Sequence, residues 1–232
     1  MSGLEFRNDT HAIGCDGPTL TVRIFSQVPP HRITHLYADT DSHTSVILAQ
    51  LILRERFGCA PQVIPFKATE GEHKGITSQT TPTPRPADTS PGSAEHHEAM
   101  LLIGDKVVNA SPPQHEYVFQ LDLGEQWKVL TGLPFVFAMW MIRRDYPAAA
   151  ARDLAGLLTE AQRRGAAMTD ELLNRYAAEK QWPRELARRY FTEYLKYEVT
   201  PAFRAGVEKF FELCGKHKLL NLQRRPEYIA LF

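Results

Sequence analysis

A short run of hydroxyl and acidic side chains, DTDSHTS at residues 39–45, stands between a predicted strand and a predicted apolar helix. Hydroxyl groups and backbone N–H groups at a helix start form an anion site that the helix dipole strengthens, suited to a carboxylate or a phosphate. The same residue types are the commonest helix caps, and His43 is either an added charge or a solvated loop histidine. The run by itself therefore leaves ligand binding and plain capping equally open.

The TGLPF run at residues 131–135 is a second candidate, because a turn with glycine and proline can expose backbone N–H groups beside an apolar strand. A plain helix-to-strand turn explains this run better. Two isolated carboxylates, Asp16 and Asp105, follow turn or strand ends. An aspartate there acts as a general base or, more commonly, caps a turn.

Metal and cofactor chemistry find little support in the residue pattern. His96, His97 and Glu98 are adjacent, but neighbouring histidines point in different directions and nothing nearby completes a set of ligands, so no metal is predicted. The sequence contains no GxGxxG, Walker loop, GxSxG elbow or HExxH. Hydride transfer, nucleotide hydrolysis, serine hydrolysis and zinc protease chemistry are disfavoured.

The composition favours a cytoplasmic protein with a small-molecule or protein partner. The chain has 232 residues, 43% of them hydrophobic, enough for one large domain or two small ones. Basic and acidic residues balance at 27 each, which gives no reason to expect nucleic acid or a membrane surface as partner. The three scattered cysteines fit reduced thiols, and neither a secretory signal nor a membrane-spanning run is recognisable.

Strands and helices alternate over the first 145 residues, and a helical tail follows. We predict a buried helix capped near Ser42 and ended by Gly58, a short helix in LGEQWKVLTG, and a flexible polar loop over residues 67–97. The predicted strands are residues 19–26, 35–38, 62–66 and 99–105, the YVFQLDL segment, and residues 133–144. This order predicts an α/β fold with a parallel or mixed sheet.

Four ordered motifs resemble the menaquinone biosynthesis family that includes chorismate dehydratase of the futalosine pathway. They are GCDGPTLTVRIFSQVP, DSHTSVILAQLILRERFG, LLIGD and LGEQWKVLTGLPFVFAMWMIRRDY. The resemblance implies a periplasmic-binding-protein type 2-like fold, with two α/β lobes around a ligand cleft. One lobe would span residues 27–133, and the other would combine residues 1–26 with 134–232, with crossover strands at 19–26 and 134–143.

The same resemblance implies a hydro-lyase that converts chorismate to 3-[(1-carboxyvinyl)oxy]benzoate without a cofactor. Loss of a ring proton and the neighbouring hydroxyl makes the ring aromatic, so the protein mainly orients the substrate and assists proton transfer. Thr21 stands where the family usually has a serine and is the implied catalytic hydroxyl. The implied substrate-binding residues are Ser42, His43, Thr44, Ser45, Asp105, Thr131, Gly132, Leu133 and Pro134.

The chain departs from the family pattern in two ways. His43 replaces what is often an arginine. The family's segment before GCDGP, which brings an asparagine to the active site, is lacking, so one lobe is expected to be incomplete at its N-terminus. We expect poor solubility and negligible turnover from the chain alone, which a comparison with a form extended by the upstream codons would test.

Two other functions stay open at this point. One is a cytoplasmic protein that binds a small carboxylate without turnover. The other is the sister futalosine-pathway enzyme, which acts on cyclic dehypoxanthine futalosine with the same fold. The group that removes the proton is also open, between a protein side chain and the substrate's own enolpyruvyl carboxylate. The partner is expected to be chorismate, with no nucleic acid and no membrane, and a homodimer is left open.

Overall fold

A computed structural model describes residues 4–5, 11–39, 41–66, 97–143 and 146–220. Most of the predicted polar loop, residues 67–96, lies outside these residues. The described chain is a mixed α/β structure with one five-stranded sheet, one three-stranded sheet and one two-stranded ribbon. Among its helices, none is both long and apolar enough to cross a membrane.

The five-stranded sheet is mixed and takes its strands from the first half of the chain. In spatial order these strands are β5 (Gln62–Phe66), β4 (His35–Asp39), β6 (Ala99–Ile103), β3 (Val22–Ser26) and β7 (Phe119–Asp122). β4 runs parallel to β5 and β6, whereas β3 runs antiparallel to β6 and β7. The carboxyl ends of β4, β6 and β7 therefore meet the start of β3 at one edge of the sheet.

Three helices follow these strands and begin at that same edge. They are α1 (His43–Phe57), α2 (Asp105–Asn109) and α3 (Leu123–Thr131). The apolar interior of α1 packs into the main core, where Leu48, Leu51 and Leu53 are fully buried. Gly58 ends the helix in the left-handed conformation, with a φ of 67°. Trp127 of α3 is also fully buried and completes this core.

The second region joins a small antiparallel sheet to the C-terminal helices. Its sheet has the order β10 (Lys196–Glu198), β2 (His11–Cys15) and β8 (Phe135–Met139), and the ribbon pairs β1 (Leu4–Glu5) with β9 (Ile142–Arg143). The helices of this region are α4 (Ala148–Ala167), α5 (Thr169–Tyr176), α6 (Arg184–Arg189) and α7 (Pro201–Lys216). A π-helical turn at Tyr190–Tyr194 extends α6.

Several sequence predictions are confirmed and three bounds are corrected. The strands at residues 35–38 and 62–66, the α1 cap at Ser42 and the α3 helix are present. The predicted strand 19–26 begins only at Val22, because Leu20 adopts a φ of 66° in a turn. The predicted strand 133–144 is divided into β8 and β9, and Asp105 is the first residue of α2 rather than the last of β6.

Candidate active site

The carboxyl edge of the five-stranded sheet collects the polar residues of the candidate site. Thr21 precedes β3, Asp39 ends β4, and Asp105 begins α2 directly after β6. Ligands of open α/β sheets bind outside the carboxyl ends of the strands, because helix starts and loops gather there. Facing this edge from the C-terminal region are Trp182 and Tyr190.

Asp122, the last residue of β7, fixes the backbone that leads to Thr21. Its carboxylate accepts the backbone N–H groups of Thr19 at 2.9 Å and Leu20 at 2.8 Å. It also caps α3 by accepting from Gly124 at 3.0 Å and Glu125 at 3.1 Å. A buried carboxylate with this many N–H donors is well compensated, so the unusual Leu20 backbone is held in one conformation.

Two hydrogen bonds between side chains connect Thr21 and Asp105 at the sheet edge to the C-terminal region. The Thr21 hydroxyl donates to the phenolic oxygen of Tyr190 at 3.1 Å. The indole N–H of Trp182 donates to the Asp105 carboxylate at 2.9 Å. The Trp182 and Tyr190 rings also contact each other, with 5.2 Å between centroids. The four side chains therefore form one connected cluster across the two regions.

The phenol of Tyr190 has a raised pKa within this cluster. Desolvation raises the pKa of its phenol, the hydrogen bond from Thr21 lowers it, and the Asp105 and Cys15 side chains raise it further. The net shift is upward, so the phenol keeps its proton at neutral pH. A protonated phenol beside a fixed carboxylate can donate a proton to a bound group while the carboxylate accepts one.

A large open cleft adjoins the cluster on the side of the C-terminal helices. Its volume is about 1380 Å³, and both Asp105 and Tyr190 line it, together with Trp182. The rest of the lining is largely apolar and comes from β2, β8 and the C-terminal helices. A cleft with an apolar wall and a few convergent polar groups is the usual form of a small-molecule site.

Comparison with known proteins gives this arrangement a family. A family model described as menaquinone biosynthesis matches residues 66–216, which is more than half of the chain. The chain belongs to the menaquinone biosynthesis family. It is also 26% identical over 213 residues to a protein named chorismate dehydratase from Thermus thermophilus, covering 86% of this chain and 69% of that protein.

A solved structure shares the fold of this family member. The crystal structure of protein AF1704 from Archaeoglobus fulgidus matches with a TM-score of 0.62, covering 94% of this chain and 74% of that one. The sequence identity is 14%, so this likeness concerns the fold alone.

The start of α1 has the Ser42 cap that the sequence predicted. The Ser42 hydroxyl accepts the Ser45 N–H at 3.1 Å and donates to the Ser45 hydroxyl at 2.8 Å. His43 is exposed and Thr44 half-buried. The lining of the 1380 Å³ cleft includes none of these four residues.

Lys106 bridges two carboxylates beside this helix start. Its ammonium group donates to the buried Asp39 at 2.7 and 2.9 Å and to Asp41 at 2.6 Å. Burial lowers the pKa of Lys106, but the hydrogen bonds to Asp39 and Asp41 outweigh it and the net shift is upward. An anion at the start of α1 would therefore meet one lysine and two aspartates.

The turn at residues 131–134 uses its own amides. Gly132 ends α3 in the left-handed conformation, and its N–H donates to the Lys128 carbonyl at 2.8 Å. The Leu133 N–H donates to the Thr131 hydroxyl at 3.1 Å. These bonds correct the expectation that Gly132 and Leu133 offer exposed N–H groups, since the C-cap already uses both. Pro134 does line the cleft.

The other candidate residues have structural partners. Asp16 is exposed, lines the cleft and accepts from Lys128 at 2.6 Å. His97 stacks on Tyr37 with 3.9 Å between centroids, and Glu98 accepts the His35 backbone N–H at 2.9 Å. His96 lies outside the described residues, and within them no group of three or more possible metal ligands occurs.

Sequence reasoning missed four residues of the site. Tyr190 belongs to the predicted helical tail, and no role was expected of it or of Lys106, Asp122 or Trp182. No local motif distinguishes them, because their roles depend on partners far along the chain. The nearest available signal was the pairing of an indole and a phenol in the QWPRELARRY segment.

Proposed function

We propose that this protein is a chorismate dehydratase, a hydro-lyase that converts chorismate to 3-[(1-carboxyvinyl)oxy]benzoate in the futalosine route to menaquinone. The observation that carries the proposal is the match to a protein of that name over 86% of the chain. The cleft supports it, because an apolar wall suits a ring substrate and Asp105 and Tyr190 bring proton-transfer groups to that wall.

The proposal includes the architecture and the location. Two lobes of the periplasmic-binding-protein type 2-like kind would hold the substrate between them, in the cytoplasm. The lobes would correspond to residues 27–133 and to residues 1–26 with 134–232. The geometric support is the cluster formed by Thr21, Asp105, Trp182 and Tyr190, which joins the five-stranded sheet to the C-terminal helices.

Turnover is tested with the longest in-frame product that contains this chain. Chorismate is incubated with it, and the products are separated and identified by mass and ultraviolet spectrum. We expect an aromatic product that has lost one water and keeps both carboxylates. Saturable binding of chorismate with no product would contradict the proposal and favour a carboxylate-binding protein instead. Conversion of cyclic dehypoxanthine futalosine with no action on chorismate would favour the sister enzyme.

A carboxylate of the substrate is proposed to extend beyond the lining of the cleft to the start of α1, near Lys106, which directly follows the cleft residue Asp105. Replacing Ser42 with glycine removes the hydroxyl and keeps a residue that helix starts accept, at a cost of only a few tenths of a kcal/mol. We expect Ser42→Gly to raise KM more than it lowers kcat, because the lost contact holds the ground state and the transition state alike. An unchanged KM would show that this carboxylate does not bind at the start of α1.

A further inference from the structure

Tyr190 lies at an unusual element of secondary structure, at the border of the two regions. It begins the π-helical turn Tyr190–Tyr194, between α6 and β10. Turns of this kind are rare and occur often at functional sites. The turn carries the phenol into the lining of the cleft, while the phenolic oxygen also reaches the hydroxyl of Thr21 at 3.1 Å. Thr21 itself is 4% exposed and does not line the cleft.

We propose that Tyr190 donates the proton that turns the departing hydroxyl of the substrate into water, that Asp105 removes the ring proton, and that Thr21 acts only through Tyr190. This inference rests on the proposed function and assigns its proton transfers. Tyr190 and Asp105 would be catalytic residues, and Thr21 would be a positioning residue.

The step balances without a cofactor. Asp105 takes the proton from the ring carbon, and the electron pair of that C–H bond becomes part of the aromatic ring. The neighbouring C–O bond breaks, its electron pair stays on the oxygen, and that oxygen receives the Tyr190 proton and leaves as water. The protonated Asp105 then returns its proton to the Tyr190 phenolate through the released water, which restores both residues.

The surroundings of Tyr190 fit a proton donor. Burial holds the pKa of the phenol above its ordinary value, with Asp105, Cys15 and the nearby Tyr197 as the other ionisable groups that interact with it. The phenol is therefore protonated when substrate arrives. The Thr21 hydroxyl donates toward the phenolic oxygen, so it stabilises the phenolate that forms when the proton has left.

The surroundings of Asp105 fit a proton acceptor. Its carboxylate is half-buried, lies in the cleft lining and is oriented by the Trp182 indole N–H at 2.9 Å. Trp182 is 9% exposed, and its ring also contacts the ring of Tyr190. One indole therefore holds the Asp105 carboxylate by a hydrogen bond and packs against the Tyr190 side chain. Fixed geometry of this kind is what proton transfer requires.

The test compares Tyr190→Phe, Asp105→Asn, Thr21→Ala, Thr21→Ser and the double variant Tyr190→Phe with Thr21→Ala, all in the longest in-frame product. Tyr194→Phe is the matched control, because this tyrosine is on the same turn, is hydrogen-bonded to Arg189 and does not line the cleft. Circular dichroism and thermal unfolding verify that each variant is folded. Calorimetry with chorismate separates binding from turnover.

We expect Tyr190→Phe and Asp105→Asn each to bind chorismate normally and to lose about 10²-fold to 10⁴-fold in kcat, the usual loss when a general acid or base is removed. Thr21→Ala should lose about tenfold, as expected for one hydrogen bond to a charge-bearing group, and Thr21→Ser should restore the rate. The double variant should be no slower than Tyr190→Phe alone, because groups that act as a unit are not additive.

The pH dependence of kcat distinguishes a catalytic role of Tyr190 from a purely structural one. The wild-type kcat should fall at alkaline pH as Tyr190 ionises, and this limb should be absent from Tyr190→Phe. Near wild-type kcat in Tyr190→Phe, or a double variant much slower than Tyr190→Phe, would overturn the inference and leave the proposed function intact. Absence of chorismate turnover in the wild type would overturn the proposed function and, with it, these assignments.

Discussion

The two regions of this protein differ in how completely they bury their apolar side chains. Around the five-stranded sheet, residues of β3, β4, β6, α1 and α3 form one continuous core that α7 completes. The other buried residues of the C-terminal region form separate small clusters, while Trp140, Leu157 and Phe191 are 55%, 68% and 47% exposed. The main core is therefore centred on the sheet region, and most of the exposed large apolar side chains among the described residues belong to the C-terminal region.

This difference assigns separate tasks to the two regions. A continuous core holds the sheet edge rigid, so Thr21 and Asp105 keep fixed positions. The more loosely packed C-terminal region supplies Trp182 and Tyr190 together with the apolar wall of the cleft. Elements with few buried contacts are those that open and close most easily, as ligand entry requires.

The largest contrast is expected between a core leucine and an exposed one. Leu51→Ala on α1 removes a fully buried side chain, and we expect a loss of about 2–5 kcal/mol in the free energy of unfolding from the lost burial and the cavity. Leu157→Ala on α4 should change it by less than about 0.5 kcal/mol. Urea unfolding measures both. Equal losses would mean that the exposed face of α4 is buried in solution.

Two helical glycines sharpen the comparison within the C-terminal region. A Cβ at Gly206 on α7 would lie 2.2 Å from the Pro134 carbonyl oxygen, so Gly206→Ala should destabilise the protein by about 1–3 kcal/mol through overpacking. A Cβ at Gly156 on α4 meets nothing within 4 Å, so Gly156→Ala should stabilise it by up to about 1 kcal/mol through helix propensity. Thermal unfolding distinguishes the two. A neutral Gly206→Ala would show that α7 moves freely against β8.

The smallest expected effect concerns the link between α1 and α7. Glu55 accepts a hydrogen bond from Lys216 at 2.6 Å and contacts His217. The hydrogen bonds from Lys216 and then His217 lower the pKa of Glu55, so its stabilisation is present above the ordinary glutamate pKa of 4.5 and is lost as pH falls through the lowered value. Glu55→Gln should therefore have a lower free energy of unfolding than wild type at neutral pH. This difference in stability should disappear at acidic pH. A difference in the free energy of unfolding, measured with urea, that does not change with pH would contradict this.

Local signals made part of the fold predictable. The Ser42 cap, the apolar interior and Gly58 are all within or next to α1, so the sequence of that segment was enough to predict the helix. The start of β3 was misplaced because the turn at Leu20 depends on Asp122, which is 102 residues away. A strand-forming composition over residues 19–21 was overridden by that tertiary contact.

The candidate site was only partly predictable for the same reason. Thr21 and Asp105 were recognised because the first stands at a family motif and the second follows an apolar strand. Tyr190 is 169 residues from Thr21 in the chain, and Trp182 is 77 residues from Asp105. Contacts over such separations depend on how the C-terminal helices pack against the sheet edge, which residue spacing does not encode.

The central claim is that chorismate binds in the cleft where the sheet edge meets Trp182 and Tyr190. The three tryptophans can be replaced biosynthetically with fluorotryptophan, and each fluorine resonance can be assigned by substitution with phenylalanine. Trp127 is fully buried in the sheet core and serves as an internal control. We expect added chorismate to shift the Trp182 resonance saturably and to leave that of Trp127 in place. A Trp182 resonance that stays unmoved at saturating chorismate would contradict the account.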